Sequence, residues 1–140
     1  MKRVEYYTTN AEDKRYHPGM INKATEVIIG VNYDKTFGND VMIFGTGGIY
    51  TEVMKDTSLR ILPTKDFSEM IKETKVGKIL NGVRGEAPKA VGPLADTMEK
   101  IQRIIFAIPE IKSIDINPIL VIEKRAVVVD FKMILATKKK

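Results

Sequence analysis

Three oxygen-bearing side chains, Asp115, Asn117 and Asp130, stand in the otherwise apolar stretch I-D-I-N-P-I-L-V-I-E-K-R-A-V-V-V-D-F-K, residues 114–132. The Ile- and Val-rich runs on either side of Glu123-Lys124-Arg125 have the β-branched composition of strands, and the charged break between them suits a turn. In such a hairpin Asp115 and Asn117 on the first strand come close to Asp130 near the end of the second run. Two readings stand. The acids can face water on an alternating strand, or, since an unpaired carboxylate is costly to bury, they can share a cation. Val127-Val128-Val129 does not alternate, which predicts a strand buried on both faces, with Asp130 at its end in need of a partner or a cation. Oxygen-only ligands of this kind suit Mg²⁺, which takes one or two protein carboxylates and leaves its remaining positions to water and phosphate oxygens.

Two other segments carry residue types that can bind phosphate. In G-T-G-G-I-Y, residues 45–50, Gly45, Gly47 and Gly48 permit close backbone approach to another group, one requirement of a phosphate cradle. The pattern is neither G-x-G-x-x-G nor a P-loop, and a plain glycine-rich bend between strands explains it equally. Arg84, bordered by Gly82 and Gly85, has a planar, permanently charged fork suited to phosphate, against the alternative of a solvated loop arginine. Glu52 and Arg60, within short alternating runs, read as edge charges or as the lining of a polar cleft. The lone His17, beside Pro18 in polar sequence, reads as a solvated surface residue.

The elements that must position these groups follow from periodicity. Residues 27–31 and 41–44 read as strands joined through F-G-N-D, an antiparallel pair. Residues 50–54 and 59–63 read as two more strands. Thr64 is placed as an N-cap ahead of Phe67, Met70 and Ile71 at helical spacing, and a second brief helix is expected at Gly77 to Leu80. A longer helix from Pro88 carries Val91, Leu94, Met98, Ile101, Ile104, Ile105 and Ile108 as a core stripe and stops at Pro109. The expected fold is α+β, a mostly antiparallel sheet with helices on one face. Residues 1–25 read as a polar tail or linker, 26–136 as the folded domain and 137–140 as a basic tail.

A chain of 140 residues suffices for one domain with its own core. The absence of cysteine excludes disulfide stapling, thiolate catalysis and cysteine metal sites, and is compatible with a reducing cytoplasm. No apolar run is long enough to cross a bilayer and the N-terminus does not resemble a secretory signal, so a soluble, cytoplasmic protein without membrane partners is expected. The net charge of +5 is partly terminal, from Lys2-Arg3 and Lys138 to Lys140, and no aromatic-and-basic platform accompanies it. Specific nucleic-acid binding is therefore not expected.

Taken together, five segments resemble one family. They are E-V-I-I-G-V-N-Y-D-K-T-F-G (26–38), V-M-I-F-G-T-G-G-I-Y-T-E-V-M-K-D (41–56), L-N-G-V-R-G (80–85), P-E-I-K-S-I-D-I-N-P-I-L-V (109–121) and A-V-V-V-D (126–130). In this order they look like the C-terminal part of the ATP-grasp β subunit of ADP-forming acetyl-CoA synthetases and of NDP-forming acyl-CoA synthetases. The closing hairpin is similar to that of succinyl-CoA synthetase β subunits. The resemblance implies a C-terminal ATP-grasp subdomain acting in the reversible conversion of acyl-CoA, ADP and phosphate into free acid, CoA and ATP through a phosphohistidine. It implies Asn117 and Asp130 as the Mg²⁺-nucleotide positions and Asp115 as the acidic residue that holds the phosphohistidine at the nucleotide site. Gly45, Gly47, Gly48, Glu52 and Arg84 match positions at the phosphate end of the cleft, where arginine and Mg²⁺ would neutralise charge during phosphoryl transfer. The first ATP-grasp subdomain, with its nucleotide-contacting lysines and I-L-H-K-S-type motif, has no counterpart here, and His17 does not match that histidine. The chain is thus expected to be inactive without that subdomain and a CoA-binding α subunit as partners, and its uncovered face allows self-association. The alternative is a non-catalytic interaction or assembly module on the same scaffold.

Overall fold

A computed structural model describes residues 2–7, 24–47, 56–82 and 89–136. Among these, seven strands form one antiparallel sheet: β1 (Lys2–Tyr7), β2 (Thr25–Asp34), β3 (Asn39–Thr46), β4 (Thr57–Ile61), β5 (Ile111–Val121), β6 (Ala126–Val128) and β7 (Asp130–Leu135). The sheet runs β1-β7-β5-β2-β3-β4, with β6 paired to β5 beside β7. Helices α1 (Phe67–Lys72), α2 (Lys75–Leu80) and α3 (Val91–Ala107) pack on one side of it. The α+β expectation holds, with the helices on a single face.

Alternation explains that one-sidedness. Val27, Ile29 and Val31 of β2, Met42 and Phe44 of β3, and Ile114 and Ile116 of β5 are buried, and meet Met70, Ile71, Leu80, Leu94, Met98, Ile101 and Ile105 from the helices. The intervening residues point to the opposite face, because successive side chains of a strand alternate. β2 and β3 pair antiparallel as expected, and Asp34 shapes the turn between them: its Oδ1 accepts the Thr36 N–H at 2.8 Å and the Phe37 N–H at 3.2 Å. Gly38, at φ 67°, supplies the left-handed residue that closes this turn.

Several local expectations are corrected. Lys2–Tyr7, expected in a tail, pairs with β7 in register from Lys2 opposite Leu135 to Tyr7 opposite Asp130. α1 begins at Phe67 after Asp66 rather than at Thr64, whose hydroxyl oxygen instead accepts the Asp66 N–H at 3.1 Å. On α3 only Leu94, Met98, Ile101 and Ile105 are buried, while Ile104 and Ile108 are about two-fifths exposed. A helix packed on one side of a sheet buries a narrower stripe than its apolar sequence offers. Val127, Val128 and Val129 are half-buried rather than enclosed on both faces, because β6 is short and lies off the main run of the sheet. The expected strand at 50–54, together with Gly48, Glu52, Arg84, His17 and residues 137–140, lies outside the described residues. Among the described residues no helix is long and apolar enough to cross a membrane.

Candidate functional site

β5 and β7 do form the expected hairpin, and its register sets the geometry of the acidic residues. Ile116 pairs with Phe131 and Ile119 with Val128, and the Val129 N–H donates to the Pro118 carbonyl at 3.1 Å. Asn117 therefore falls opposite Asp130. Asp115, two residues back on the same strand, stands opposite Lys132 and, on its other side, opposite Gly30. Asp115 and Asn117 are both exposed, on the face turned away from the helices.

The sequence explains why the sheet is irregular at this point. β5 is a central strand, where a proline cannot donate its ladder hydrogen bond and is tolerated only at a bulge. Between the pairs Val27–Ile119 and Ile29–Ile116, β2 contributes Ile28 alone while β5 contributes Asn117 and Pro118. The extra residue lets Ile116 and Ile119 both face the core although they are three apart. It turns Asn117 outward beside Asp130, and bulges commonly re-aim side chains at functional sites in this way.

Asp130 is the residue with the most explicit need. Its Oδ1 is buried and has no hydrogen-bond partner among the described residues. A buried carboxylate oxygen without a donor is costly, and a cation removes that cost. The Asn117 side chain carries a second oxygen on the facing strand position. Among the described residues no cluster of three or more Asp, Glu, His or Cys could hold a metal, so a cation here would have to complete its shell with water or phosphate. That is the manner in which Mg²⁺ is commonly held.

Gly45 lies in the same cross-strand row. It pairs with Ile28, which faces the Asn117-Pro118 bulge, so three strand spacings of about 4.8 Å place Gly45 roughly 14 Å from Asp130. Tight packing demands glycine at 45 and 47. A Cβ on Gly45 would lie 2.3 Å from the Asp56 carbonyl oxygen, and one on Gly47 would lie 2.8 Å from the Val27 backbone. Their freedom from side chains is thus accounted for inside the sheet, and the described residues show no separate phosphate cradle at these two positions. Arg60, left between edge and cleft by the sequence, reaches toward the helices and pairs with Glu73 and Asp66. Hydrogen bonding to Glu73 raises the guanidinium pKa and lowers that of the Glu73 carboxyl.

Sequence reasoning missed Gly30, Lys132 and Asp56. Gly30 sits in mid-strand with no left-handed φ, and a Cβ added there would meet only the Ile114 carbonyl oxygen, at 3.9 Å. Neither backbone strain nor crowding requires it. Its missing side chain instead opens a groove of about 510 Å³ on the uncovered face, bordered by Ile28, Asn32, Ile43, Asp115, Lys132 and Ile134. A glycine inside V-I-I-G-V-N was the available signal, since interior strand glycines often mark close approach of a ligand or another backbone. Asp56 gave no local signal, because its partners are distant in sequence.

The described residues thus form a one-sided α+β layer with Asn117 opposite Asp130 at a strand bulge on its uncovered face. The chain belongs to the ATP-grasp domain family, whose model matches residues 9–135. It is 47% identical over 118 residues to the β subunit of acetate–CoA ligase [ADP-forming] I of Pyrococcus furiosus, covering 83% of this chain and 50% of that subunit. It is 42% identical over 121 residues to the β subunit of the second such ligase of that organism, covering 83% of this chain and 51% of the relative. The chain thus spans about half the length of these curated relatives. Among solved structures it resembles acetyl-coenzyme A synthetase 1 of Candidatus Korarchaeum cryptofilum, with a TM-score of 0.73 and 37% identity, covering 79% of this chain and 53% of that one. That synthetase was solved with coenzyme A and Mg-AMPPCP, its phosphohistidine segment pointing towards the nucleotide-binding site.

Proposed function

We propose that the chain is the nucleotide- and Mg²⁺-binding half of an ADP-forming acyl-CoA synthetase, acting on acetyl-CoA or a related acyl-CoA and completed by a first ATP-grasp subdomain and a CoA-binding subunit. The observation that carries the reading is the buried Oδ1 of Asp130, opposite Asn117 and without a hydrogen-bond partner among the described residues. Those two residues would hold Mg²⁺, which when bound neutralises phosphate oxygens during phosphoryl transfer. Asp115, about 6–7 Å along the strand from Asn117 on the same face, would accept a hydrogen bond from the imidazole of an incoming histidine and so orient it. The groove kept open by Gly30 is where a segment bearing that histidine would lie. Arg84, Gly48 and Glu52 enter this reading from their match to the family motifs.

Calorimetric titration of Mg-ADP into the chain combined with the complementary subdomain tests the proposal. Saturable binding is expected, and Asp130→Ala should weaken it about 30-fold or more; a complex that binds no Mg-ADP refutes the assignment. A second reading, a non-catalytic assembly module, draws on Leu59 and Ile61, apolar side chains of β4 that are 56% and 45% exposed on the uncovered face. Such exposure favours a polypeptide cover. A strictly monomeric chain by light scattering, at concentrations where the complementary subdomain also fails to bind, eliminates that alternative.

A further inference from the structure

Asp56 makes more connections than an acid at a strand entrance needs. Its Oδ1 accepts the Lys75 N–H at 2.8 Å, and its Oδ2 accepts both the Val76 N–H at 2.9 Å and the Thr46 hydroxyl at 2.9 Å. Its backbone carbonyl accepts the Thr46 N–H at 3.1 Å. One residue therefore ties the last residue of β3 to the first turn of α2. The Cβ-sized gap at Gly45 is filled by this same Asp56 carbonyl, so the end of β3 closes directly onto it.

Capping alone does not account for the arrangement. α2 already has a local cap, since the Thr74 hydroxyl oxygen accepts the Gly77 N–H at 2.9 Å and the hydroxyl donates to the Ile71 carbonyl at 2.7 Å. Asp56 reaches α2 from 19 and 20 residues away and brings Thr46 with it. Burial works against its charge, but the two backbone donors and the Thr46 hydroxyl outweigh it and hold the carboxyl below its ordinary pKa. An ionised acceptor makes each of these bonds stronger than a neutral one.

The two elements joined have a common significance. β3 ends in Gly45, Thr46 and Gly47, and α2 ends at Leu80, directly before Asn81 and Gly82. These are the roots of the two glycine-bordered segments whose motifs match the phosphate end of the family's cleft. We propose that Asp56 is a positioning residue for nucleotide phosphate, fixing the end of β3 relative to α2 through Thr46, Lys75 and Val76. The proposal rests on the nucleotide reading above. Asp56 itself acts only through the backbone it holds.

The test uses the full chain in complex with the complementary subdomain, with Asp56→Asn, Thr46→Val and Thr46→Ser. Amide hydrogen exchange reads the link and Mg-ADP titration reads its consequence. In Asp56→Asn, exchange should quicken at Thr46, Lys75 and Val76 together, while Ile29 and Ile116 stay protected and show that the sheet is intact. Mg-ADP affinity should fall about tenfold, the size expected for losing a charge-assisted hydrogen bond. Thr46→Val should weaken nucleotide binding with α2 still formed, and Thr46→Ser, which restores the hydroxyl, should recover it. Wild-type nucleotide affinity in Asp56→Asn, or exchange that quickens only at Lys75 and Val76, overturns the positioning role alone. Absence of Mg-ADP binding by the unaltered complex, with the exchange link intact, overturns the nucleotide assignment and the role with it.

Discussion

The two faces of the sheet are built from alternate residues of the same strands, yet they obey different rules. Toward the helices stand Ile29, Met42, Phe44 and Ile119, all fully buried. Between them, facing away, come Ile28, Gly30 and Ile43, with Asp115 and Asn117 on β5. The first set is chosen for volume, because a dry interface between helix and sheet is close-packed and tolerates no gap. The second mixes isolated aliphatic side chains, an interior glycine and polar side chains, with Asn117 opposite Asp130, whose buried Oδ1 has no donor among the described residues. A surface like that is neither a finished core nor an ordinary solvated exterior, and it makes physical sense as one wall of a site.

Substitutions can break or sharpen this contrast. Phe44→Ala should cost about 3–5 kcal/mol of stability by leaving a core cavity, whereas its neighbour Ile43→Ala, on the uncovered face, should cost about 1 kcal/mol. Denaturant titration of the two variants checks this, and equal losses would mean that both faces are covered alike. Asp130→Ala should reverse the pattern. Removing a buried oxygen that has no partner among the described residues should leave the melting temperature unchanged or higher, while Mg-ADP affinity in the reconstituted complex drops about 30-fold or more. Gly30→Val should raise stability by up to about 0.5–1 kcal/mol, since valine suits a strand and the space is open. It should nevertheless slow phosphoryl transfer about tenfold by filling the groove next to Asp115, with Mg-ADP binding unaltered; steady-state kinetics with all partners present separates the two effects.

The smallest expected effect concerns pH. The Asp56 carboxyl is held below its ordinary value of 3.8, so the stability it contributes is complete above that value and is lost as the pH falls through the folded-state value. Denaturation midpoints measured between about pH 5 and pH 2 should therefore fall less steeply for Asp56→Asn than for the unaltered chain. An identical slope would mean that the carboxyl is not held by these donors.

How much was legible beforehand differs between the same two faces. The helix-covered face could be read from alternation in β2, β3 and β5 and from the spacing of Leu94, Met98, Ile101 and Ile105, because burial of apolar area is a one-dimensional pattern repeated along each element. The stripe was read too wide at Ile104 and Ile108, since periodicity reports which residues are apolar and not how far the neighbouring layer extends. On the uncovered face the hairpin and the nearness of Asn117 to Asp130 were legible from β-branched runs around a charged turn. Gly30 offered only the signal of a glycine within a strand run, and Asp56 offered none, because their surroundings are set by what stands beside them across the sheet.

Sequence by itself determined the α+β class, the antiparallel β2–β3 and closing hairpins, the one-sided core, the three oxygen-bearing residues and the family. Each of those follows from local composition or from ordered motifs. Tertiary structure alone decided that Asn117 and Pro118 share a bulge opposite Ile28, that Gly45 is crowded by Asp56, and that β1 runs along β7 with Tyr7 opposite Asp130. The pairing of strands distant in sequence, and the approach of residues such as Gly45 and Asp56 across a loop, are settled by packing across the sheet.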